Sequence, residues 1–219
     1  MQRFIFIILL LILGLVFLYY SPYIDQAIAI VPFNHITNKF YGEINNWCSF
    51  IYFLVPCITT LLIAVPVGIL ILNKKTSIFY KRAAIIVLLS LMIGPGLIVN
   101  TVFKNHWGRA RPYQVLRDHK SFSPVWQRNA NAPENNSFCS GHASIGFFLG
   151  IPLLALRRKK SAVITSLGGG VIIGVVRVLQ GGHYLTDIIF AGIFVWIGAF
   201  FAIYITDNIV LKIFKLKED

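Results

Sequence analysis

Three polar residues near the end of the chain, Arg177, His183 and Asp187, have types and spacing that suit catalysis. They lie between two long apolar runs, where an ionisable side chain is costly and by default indicates a functional site. If a helix begins at His183, Asp187 follows one turn later on the same face and can orient one ring nitrogen, leaving the other free to react. The guanidinium of Arg177 matches phosphate oxygens. A buried Arg–Asp pair beside a structural histidine is the alternative interpretation.

Two earlier segments contain further groups that bind anions. Lys104 and Arg111 are seven positions apart and would share a face if the helix continued, although the proline after Arg111 disfavours helical geometry there. Ser140 is a candidate N-cap, and the backbone N–H groups beside Gly141 can bind an anion at the start of a helix. With His142, the set comprises three cations, a helix N-terminus, two imidazoles and a carboxylate. Such a set predicts phosphoryl transfer, which depends mostly on positioning and charge stabilisation.

The composition predicts that the elements positioning these groups cross a membrane. Of the 219 residues, 57% are hydrophobic and only 13% are charged, against about 25% charged residues in typical globular domains. The net charge of +12 would suggest a nucleic-acid partner for a soluble protein. Here the basic residues fall in the gaps between apolar runs, so nucleic acid is not expected. Three cysteines without paired spacing predict neither a disulfide framework nor a zinc site.

The apolar runs predict an all-α integral membrane bundle of six transmembrane helices in a single domain of residues 1–219. The predicted spans are 4–20, 47–72, 83–103, 140–156, 161–179 and 184–205. A signal peptide is the competing interpretation of the first run, but small residues suited to cleavage come only well after it. Residues 21–46, which contain Pro22 and Pro32, are predicted to form an external loop. The glycines at 168–170 would let a neighbouring helix approach closely.

The charge distribution predicts the orientation of the bundle. Basic residues on cytoplasmic loops set topology, and they cluster at Arg3, Lys74–Lys75, Lys81–Arg82, 157–160 and 212–217. We therefore expect both termini to be cytoplasmic, with the polar segments at the opposite, external face of the membrane. The loop 104–139 is also basic, which on that side indicates an anionic partner such as a lipid phosphate. Residues 135–137 are interpreted as ordinary loop.

Taken in order, the three motifs resemble the signature of the type 2 phosphatidic acid phosphatase (PAP2) superfamily, which includes the vanadium haloperoxidases. The matching residues are Lys104, Arg111 and Pro112, then Ser140, Gly141 and His142, then Arg177, His183 and Asp187. Two positions depart from the pattern: Cys139 replaces the usual proline and Val176 the usual serine. A narrower resemblance, carried by residues 93–112 and 180–183, is to bacterial lipid A phosphatases, the 4′-phosphatase branch in particular.

The resemblance implies a PAP2/haloperoxidase-like core and a metal-independent phosphatase mechanism without a cofactor. His183 would attack phosphorus to form a phosphohistidine, with Asp187 orienting its ring. His142 would protonate the leaving oxygen and later activate water. Lys104, Arg111, Arg177, Ser140 and Gly141 would bind the phosphate.

Five other polar or aromatic residues receive weaker assignments. His106, Trp107 and Arg109 are candidate contacts for the substrate headgroup or for the membrane interface. His35 and His119 have no partner pattern and are expected at the surface.

Several alternative functions stay open. Within the same class, the substrate could be undecaprenyl pyrophosphate, phosphatidylglycerophosphate or phosphatidic acid. A non-catalytic lipid-binding or transport protein is the alternative from another class, although the apolar runs contain few polar residues that would line a transport path. A haloperoxidase is disfavoured because those proteins are normally soluble. The expected partners are a phosphorylated lipid and the bilayer, and the sequence leaves the oligomeric state open.

Overall fold

The computed structural model describes residues 2–72, 76–132 and 134–210. Some of the basic residues used to predict the orientation lie outside these ranges, namely Lys74, Lys75, Lys212, Lys215 and Lys217.

The described chain folds into helices joined by one long loop and one short hairpin. In chain order the elements are α1 (Gln2–Ile30), β1 (Phe33–Asn34), β2 (Lys39–Phe40), α2 (Tyr41–Ile44), α3 (Asn46–Leu72), α4 (Ile78–Leu91), the π-helical segment π1 (Met92–Lys104), α5 (Pro112–Leu116), α6 (Gly141–Phe148), α7 (Ile151–Ala155), α8 (Lys159–Leu179), α9 (Leu185–Ile205) and the π-helical segment π2 (Thr206–Val210). β1 and β2 pair antiparallel, with Phe33 opposite Phe40.

The prediction of an all-α membrane protein is confirmed. Within the described residues, five helices are long and apolar enough to cross a bilayer: Leu11–Ile30, Asn46–Leu72, Ile78–Lys104, Lys159–Leu179 and Leu185–Asn208. The remaining predicted span corresponds to the shorter apolar segment Gly141–Ala155, which is interrupted between α6 and α7. Most side chains of this short segment are buried by the surrounding helices.

The predicted boundary of the first helix was wrong. The first span was expected to end at residue 20, but α1 continues through Pro22 to Ile30. A proline removes one backbone donor and can be tolerated inside a membrane helix when neighbouring groups satisfy the backbone. The longer helix carries Asp25, which the sequence placed in an external loop, into the protein interior, where its side chain is fully buried.

Close contacts between glycines hold the central helices together. A methyl group at Gly198 of α9 would lie 2.7 Å from the Cα atom of Gly94 in π1, so these two helices touch backbone to backbone. The predicted close approach at residues 168–170 is confirmed for two of the three glycines. Gly169 lies against Gly146 and Gly170 against the ring of Phe147, whereas Gly168 has open space around it. This packing fixes α6, which carries His142, against α8, which carries Arg177.

Candidate active site

His183 lies two residues before α9, in the turn that follows α8, and its ring is almost completely buried. Its Nδ1 atom is 2.7 Å from the carbonyl oxygen of Ser137 and 3.6 Å from Oδ2 of Asp187. The shorter contact is the hydrogen bond, so the orienting acceptor is a backbone carbonyl, where the sequence predicted the carboxylate. Nε2 of His183 has no protein partner in the described part of the chain.

Asp187 also helps to hold the ring of His183 indirectly, through hydrogen bonds to neighbouring residues. Its Oδ2 accepts hydrogen bonds from the Ser137 hydroxyl (2.5 Å) and from the backbone N–H of Tyr184 (2.9 Å). Asp187 thereby fixes Ser137, whose carbonyl in turn holds His183. The prediction interpreted Ser137 as ordinary loop, because no motif or helical pattern includes it.

Burial lowers the pKa of His183 to about 3, with Arg177 and Arg111 adding to the effect and Asp187 opposing it. The ring is therefore neutral at pH 7. Since Nδ1 faces a carbonyl oxygen that can only accept, the proton lies on Nδ1 and Nε2 carries the lone pair. This is the tautomer and charge state of a nucleophile.

Cationic side chains from the first and third motifs lie close to the two imidazoles. Lys104, Arg111 and Arg177 interact electrostatically with His142, and the two arginines interact in the same way with His183. The Nε atoms of both arginines are buried without a hydrogen-bond partner among the described residues. Because buried donors in native proteins are nearly always satisfied, a cluster of like charges with free donors is suited to an anion.

The local backbone explains how the two arginines reach the pocket. Arg111 has extended geometry and precedes α5, so the predicted failure of helical alignment before proline is confirmed. Arg177 lies in the last turn of α8, and its Nη1 donates to Oε1 of Gln180 at 2.5 Å. A methyl group at Gly182 would collide with the guanidinium of Arg177, so a larger residue there would displace this guanidinium.

The start of α6 contributes the predicted helix N-terminus. Ser140 is the N-cap, as predicted, and its hydroxyl accepts from the backbone N–H of Ala143 at 3.3 Å. A methyl group at Gly141 would lie 3.5 Å from Nζ of Lys104 and 2.8 Å from Oδ1 of Asn100. The lysine is thus adjacent to the backbone of this helix start, and the missing side chain leaves room beside it.

Tyr52 of α3 connects the second imidazole to the cations. Its ring stacks on His142 with centroids 4.2 Å apart and an interplanar angle of 17°. The guanidinium carbon of Arg177 lies 4.9 Å from the centroid of the same ring. Tyr52 therefore lies between the two side chains and limits where each can move.

The three candidate substrate contacts have other surroundings. Arg109 is fully buried and binds two carboxylates, which does not fit a contact with the headgroup. Trp107 packs on Phe103 and Phe138, and its indole N–H donates to the carbonyl of Val125 at 2.9 Å. His106 is exposed, with Nδ1 2.8 Å from the carbonyl oxygen of Thr101. His35 and His119 are exposed, as expected.

The hairpin braces the turn that carries His183. Gly181 has φ of +63°, which favours glycine, and a methyl group there would lie 2.5 Å from the ring of Phe40. The carbonyl of Gly181 accepts from the backbone N–H of Tyr113 at 3.0 Å. The turn is therefore held from one side by the hairpin and from the other by α5.

The two departures from the family pattern lie in packed surroundings. Cys139 and Val176 are both buried. Burial raises the pKa of the Cys139 thiol, which keeps it uncharged. Neither residue replaces a nucleophile or an acid, but valine at position 176 lacks the hydroxyl that the usual serine would offer to phosphate.

Sequence reasoning missed Tyr52, Ser137 and Asp25. Tyr52 and Ser137 belong to segments without a chemical pattern, and only the tertiary structure brings them to the site. Asp25 had a usable signal, since a carboxylate within an apolar helix indicates function, but the helix was expected to end at residue 20. Within the ranges that the structure describes, no group of three or more His, Cys, Asp or Glu side chains is arranged to hold a metal ion.

A neutral imidazole, a second imidazole and nearby cations at one end of a helical bundle are suited to phosphoryl transfer. Residues 83–211, more than half of the chain, match the PAP2 superfamily, and the chain belongs to that superfamily.

The named relatives point to a narrower group. The chain is 36% identical over 203 residues to "Lipid A 4'-phosphatase" of Francisella tularensis subsp. novicida (strain U112), covering 85% of this chain and 91% of the relative. Proteins with the same name from Rhizobium leguminosarum (34% over 104 residues, 46% and 45% of the two chains) and Rhizobium etli (31% over 103 residues, 45% and 40%) are also similar. No solved structure matches the chain.

Proposed function

We propose that this protein is a membrane phosphatase that removes a phosphate monoester from lipid A or its precursor, at the 4′ position. One observation carries the proposal: two imidazoles share the same pair of arginines, whose buried Nε donors have no hydrogen-bond partner among the described residues. Membership of the PAP2 superfamily supports the chemistry, and the printed names of the relatives support the lipid.

In the proposed first step, Nε2 of His183 attacks phosphorus and a phosphorus–nitrogen bond forms. The bond between phosphorus and the lipid oxygen breaks, and that oxygen takes a proton from His142. The proton of His183 stays on Nδ1, where it is hydrogen-bonded to the carbonyl oxygen of Ser137, so the ring becomes positively charged as it attacks. Asp187 stabilises this charge from 3.6 Å.

In the second step, a water molecule gives a proton to His142 and attacks phosphorus. The phosphorus–nitrogen bond breaks, inorganic phosphate is released and both imidazoles return to their starting states. General acid–base catalysis of this kind typically contributes about 10²–10⁴-fold. Lys104, Arg111 and Arg177, with the N–H groups at the start of α6, bind the phosphate oxygens. They supply the positive charge, so this mechanism needs no metal ion or cofactor.

The proposal includes an orientation and a location. The chain is a multi-pass membrane protein, and we place it as one domain in the bacterial inner membrane with both termini in the cytoplasm. The active site then faces the periplasm, where the basic loop 104–139 meets the phosphates of the outer leaflet. Cysteine accessibility at Ile36 and Arg158, exposed residues at the two predicted faces, tests this orientation.

The activity test uses purified protein in detergent micelles. His183→Asn should abolish phosphate release from lipid A while the protein still inserts and elutes as a single species, with loss of roughly 10⁴-fold or more, as for other nucleophiles. Orthovanadate should inhibit, because it mimics five-coordinate phosphorus. Activity should survive EDTA, and a chelator-sensitive enzyme would contradict the assignment of the charge stabilisation to the three cations.

The substrate test compares lipids. Mass spectrometry of lipid A from cells with and without the gene should show a loss of one phosphate at the 4′ position when the protein is present. Undecaprenyl pyrophosphate, phosphatidylglycerophosphate and phosphatidic acid serve as competing substrates in vitro. Faster phosphate release from any of these lipids would identify that lipid as the substrate. The proposed mechanism would be unchanged.

A further inference from the structure

A second charged cluster lies behind the nucleophile, on the side away from the cationic pocket. It consists of Asp25, Arg109 and Asp187, and the side chains of all three are fully buried. Nη2 of Arg109 donates to Oδ2 of Asp25 at 2.8 Å, and Nη1 donates to Oδ1 of Asp187 at 2.6 Å. One guanidinium is therefore shared by two carboxylates, one from α1 and one from α9.

The cluster is closed by hydrogen bonds to Thr186. Its backbone N–H and its hydroxyl donate to the two carboxylate oxygens of Asp25, at 3.0 Å and 2.6 Å. The same hydroxyl accepts from Nη1 of Arg109 at 2.8 Å. The guanidinium is covered by the ring of Tyr184, at 4.4 Å from the centroid. Asp25 thus binds both Arg109 and the residue next to Asp187.

We propose that Asp25 is a positioning residue of the reaction, which acts on His183 through Arg109 and Asp187. This inference rests on the proposed role of His183 as nucleophile. Two carboxylates and one guanidinium give the cluster a formal charge of minus one. His183 becomes positive when it attacks phosphorus, and this net negative charge stabilises it.

Asp25 is needed because of the number of charges in the cluster, which has two carboxylates and one guanidinium. Without Asp25, the full positive charge of Arg109 would act on Asp187 alone at 2.6 Å, and the pair would be neutral. Asp187 would keep its hydrogen bonds but would offer no net charge to the imidazolium. Asp25 balances Arg109 and so leaves the charge of Asp187 available. Because the charges are buried, little solvent screens them.

The first test compares kcat and KM of Asp25→Asn with those of Thr186→Val, using lipid A in micelles. Asp25→Asn should lower kcat about 10- to 100-fold, the usual range for outer-shell partners of a reactive group. KM and inhibition by inorganic phosphate should stay within roughly threefold, because the cationic pocket is unchanged. Thr186→Val removes one hydrogen bond to the same carboxylate and one from Arg109 without changing the charge, and should lower kcat less than about threefold.

The second test restores the charge. Asp25→Asn combined with Arg109→Gln removes one positive and one negative charge and returns the cluster to minus one. This double variant should be at least about threefold faster in kcat than Asp25→Asn alone, even though it leaves Asp187 buried without a counter-charge. A purely structural role for Asp25 predicts the opposite, since the double variant lacks both partners of the ion pair.

Three results would overturn the proposal: wild-type kcat in a folded Asp25→Asn variant, a double variant no faster than Asp25→Asn, or a joint loss of kcat, phosphate affinity and thermal stability. If Asp25→Asn does not fold, the double variant alone decides, and an inactive but folded double variant rejects the idea. The proposed function is tested separately. It fails if the wild-type protein releases no phosphate from lipids, whereas the inference fails if only His183→Asn, and neither change at Asp25, affects kcat.

Discussion

Arg109 and Arg111 are two positions apart in the chain, yet the side chain of Arg109 contacts acidic groups and that of Arg111 lies among basic groups. Arg109 points into the bundle, where two carboxylates, a hydroxyl and the carbonyl of Ser123 accept its hydrogen bonds. Arg111 lies with Lys104 and Arg177, and its buried Nε has no partner among the described residues. An arginine whose donors are paired with protein acceptors stabilises the fold. An arginine with an unpaired donor among like charges is suited to bind an anion. His183 lies between the two, with a negative cluster behind it and a positive pocket in front.

The largest effect, on stability, should come from a change in the buried cluster around Arg109. Arg109→Ala would leave two carboxylates buried without a counter-charge, and breaking a buried pair in this way typically costs about 3–5 kcal/mol of stability. We expect a large fall in the thermal unfolding midpoint in detergent.

Arg82→Ala is the matched control for Arg109→Ala, since it breaks a more exposed ion pair with Asp207. Surface pairs contribute about 0–1 kcal/mol, so this variant should unfold close to wild type. Equal destabilisation by the two changes would remove the distinction between the buried cluster and an ordinary surface ion pair.

The next largest effect, on kcat, should come from a change in the cationic pocket around Arg111. Arg111→Ala should lower kcat about 10²–10³-fold, as for the loss of one donor to a developing oxyanion. Its thermal stability should stay the same or rise, because the change removes a buried unsatisfied donor and repulsion from Arg177. Activity and stability would then separate in the opposite direction from Arg109→Ala.

Arg117→Ala is the control at the other end of α5. Its side chain is about one-third exposed and pairs with Glu43 at 3.1 Å, so kcat should change little. A loss of activity equal to that of Arg111→Ala would mean that basic charge around α5 matters in general, and that the position of Arg111 in the pocket does not.

The smallest effect tests the link between the two imidazoles. Tyr52→Leu should loosen His142 and lower kcat about tenfold for an alkyl or sugar phosphate, within the range that general acid catalysis supplies. The loss should be smaller for p-nitrophenyl phosphate, whose leaving group needs no proton. Tyr52→Phe keeps the stacked ring and should stay near wild type. An equal loss on both substrates would show that the ring acts through Arg177.

Much of the site was predictable because its residues lie in short motifs with fixed chemistry. The N-cap role of Ser140 and the extended geometry of Arg111 followed from local rules that hold regardless of the surrounding fold. The class of bundle followed from hydrophobic runs of membrane length.

The remaining features depend on contacts between distant segments, which local patterns do not encode. The carbonyl of Ser137 orients His183 from 46 residues away, and a carbonyl has no sequence signature. Arg109 was assigned to the substrate headgroup or the membrane interface, because the sequence does not show that helix α1 brings a carboxylate to its guanidinium. The boundary of α1 was wrong for a physical reason: neighbours in a membrane bundle can stabilise a helix across Pro22, whereas the local rule ends it.

The sequence separation between the two carboxylates of the buried cluster also affects when the cluster can assemble during biosynthesis. Asp25 and Thr186 are separated by 161 residues, so at ribosomal rates of about 5–20 residues per second the first half of the cluster precedes the second by on the order of ten seconds or more. During that interval α1 carries a carboxylate whose eventual neighbours have not been synthesised. Final seating of this helix must follow translation of α9, which makes assembly of the reactive centre a late event in the maturation of the protein.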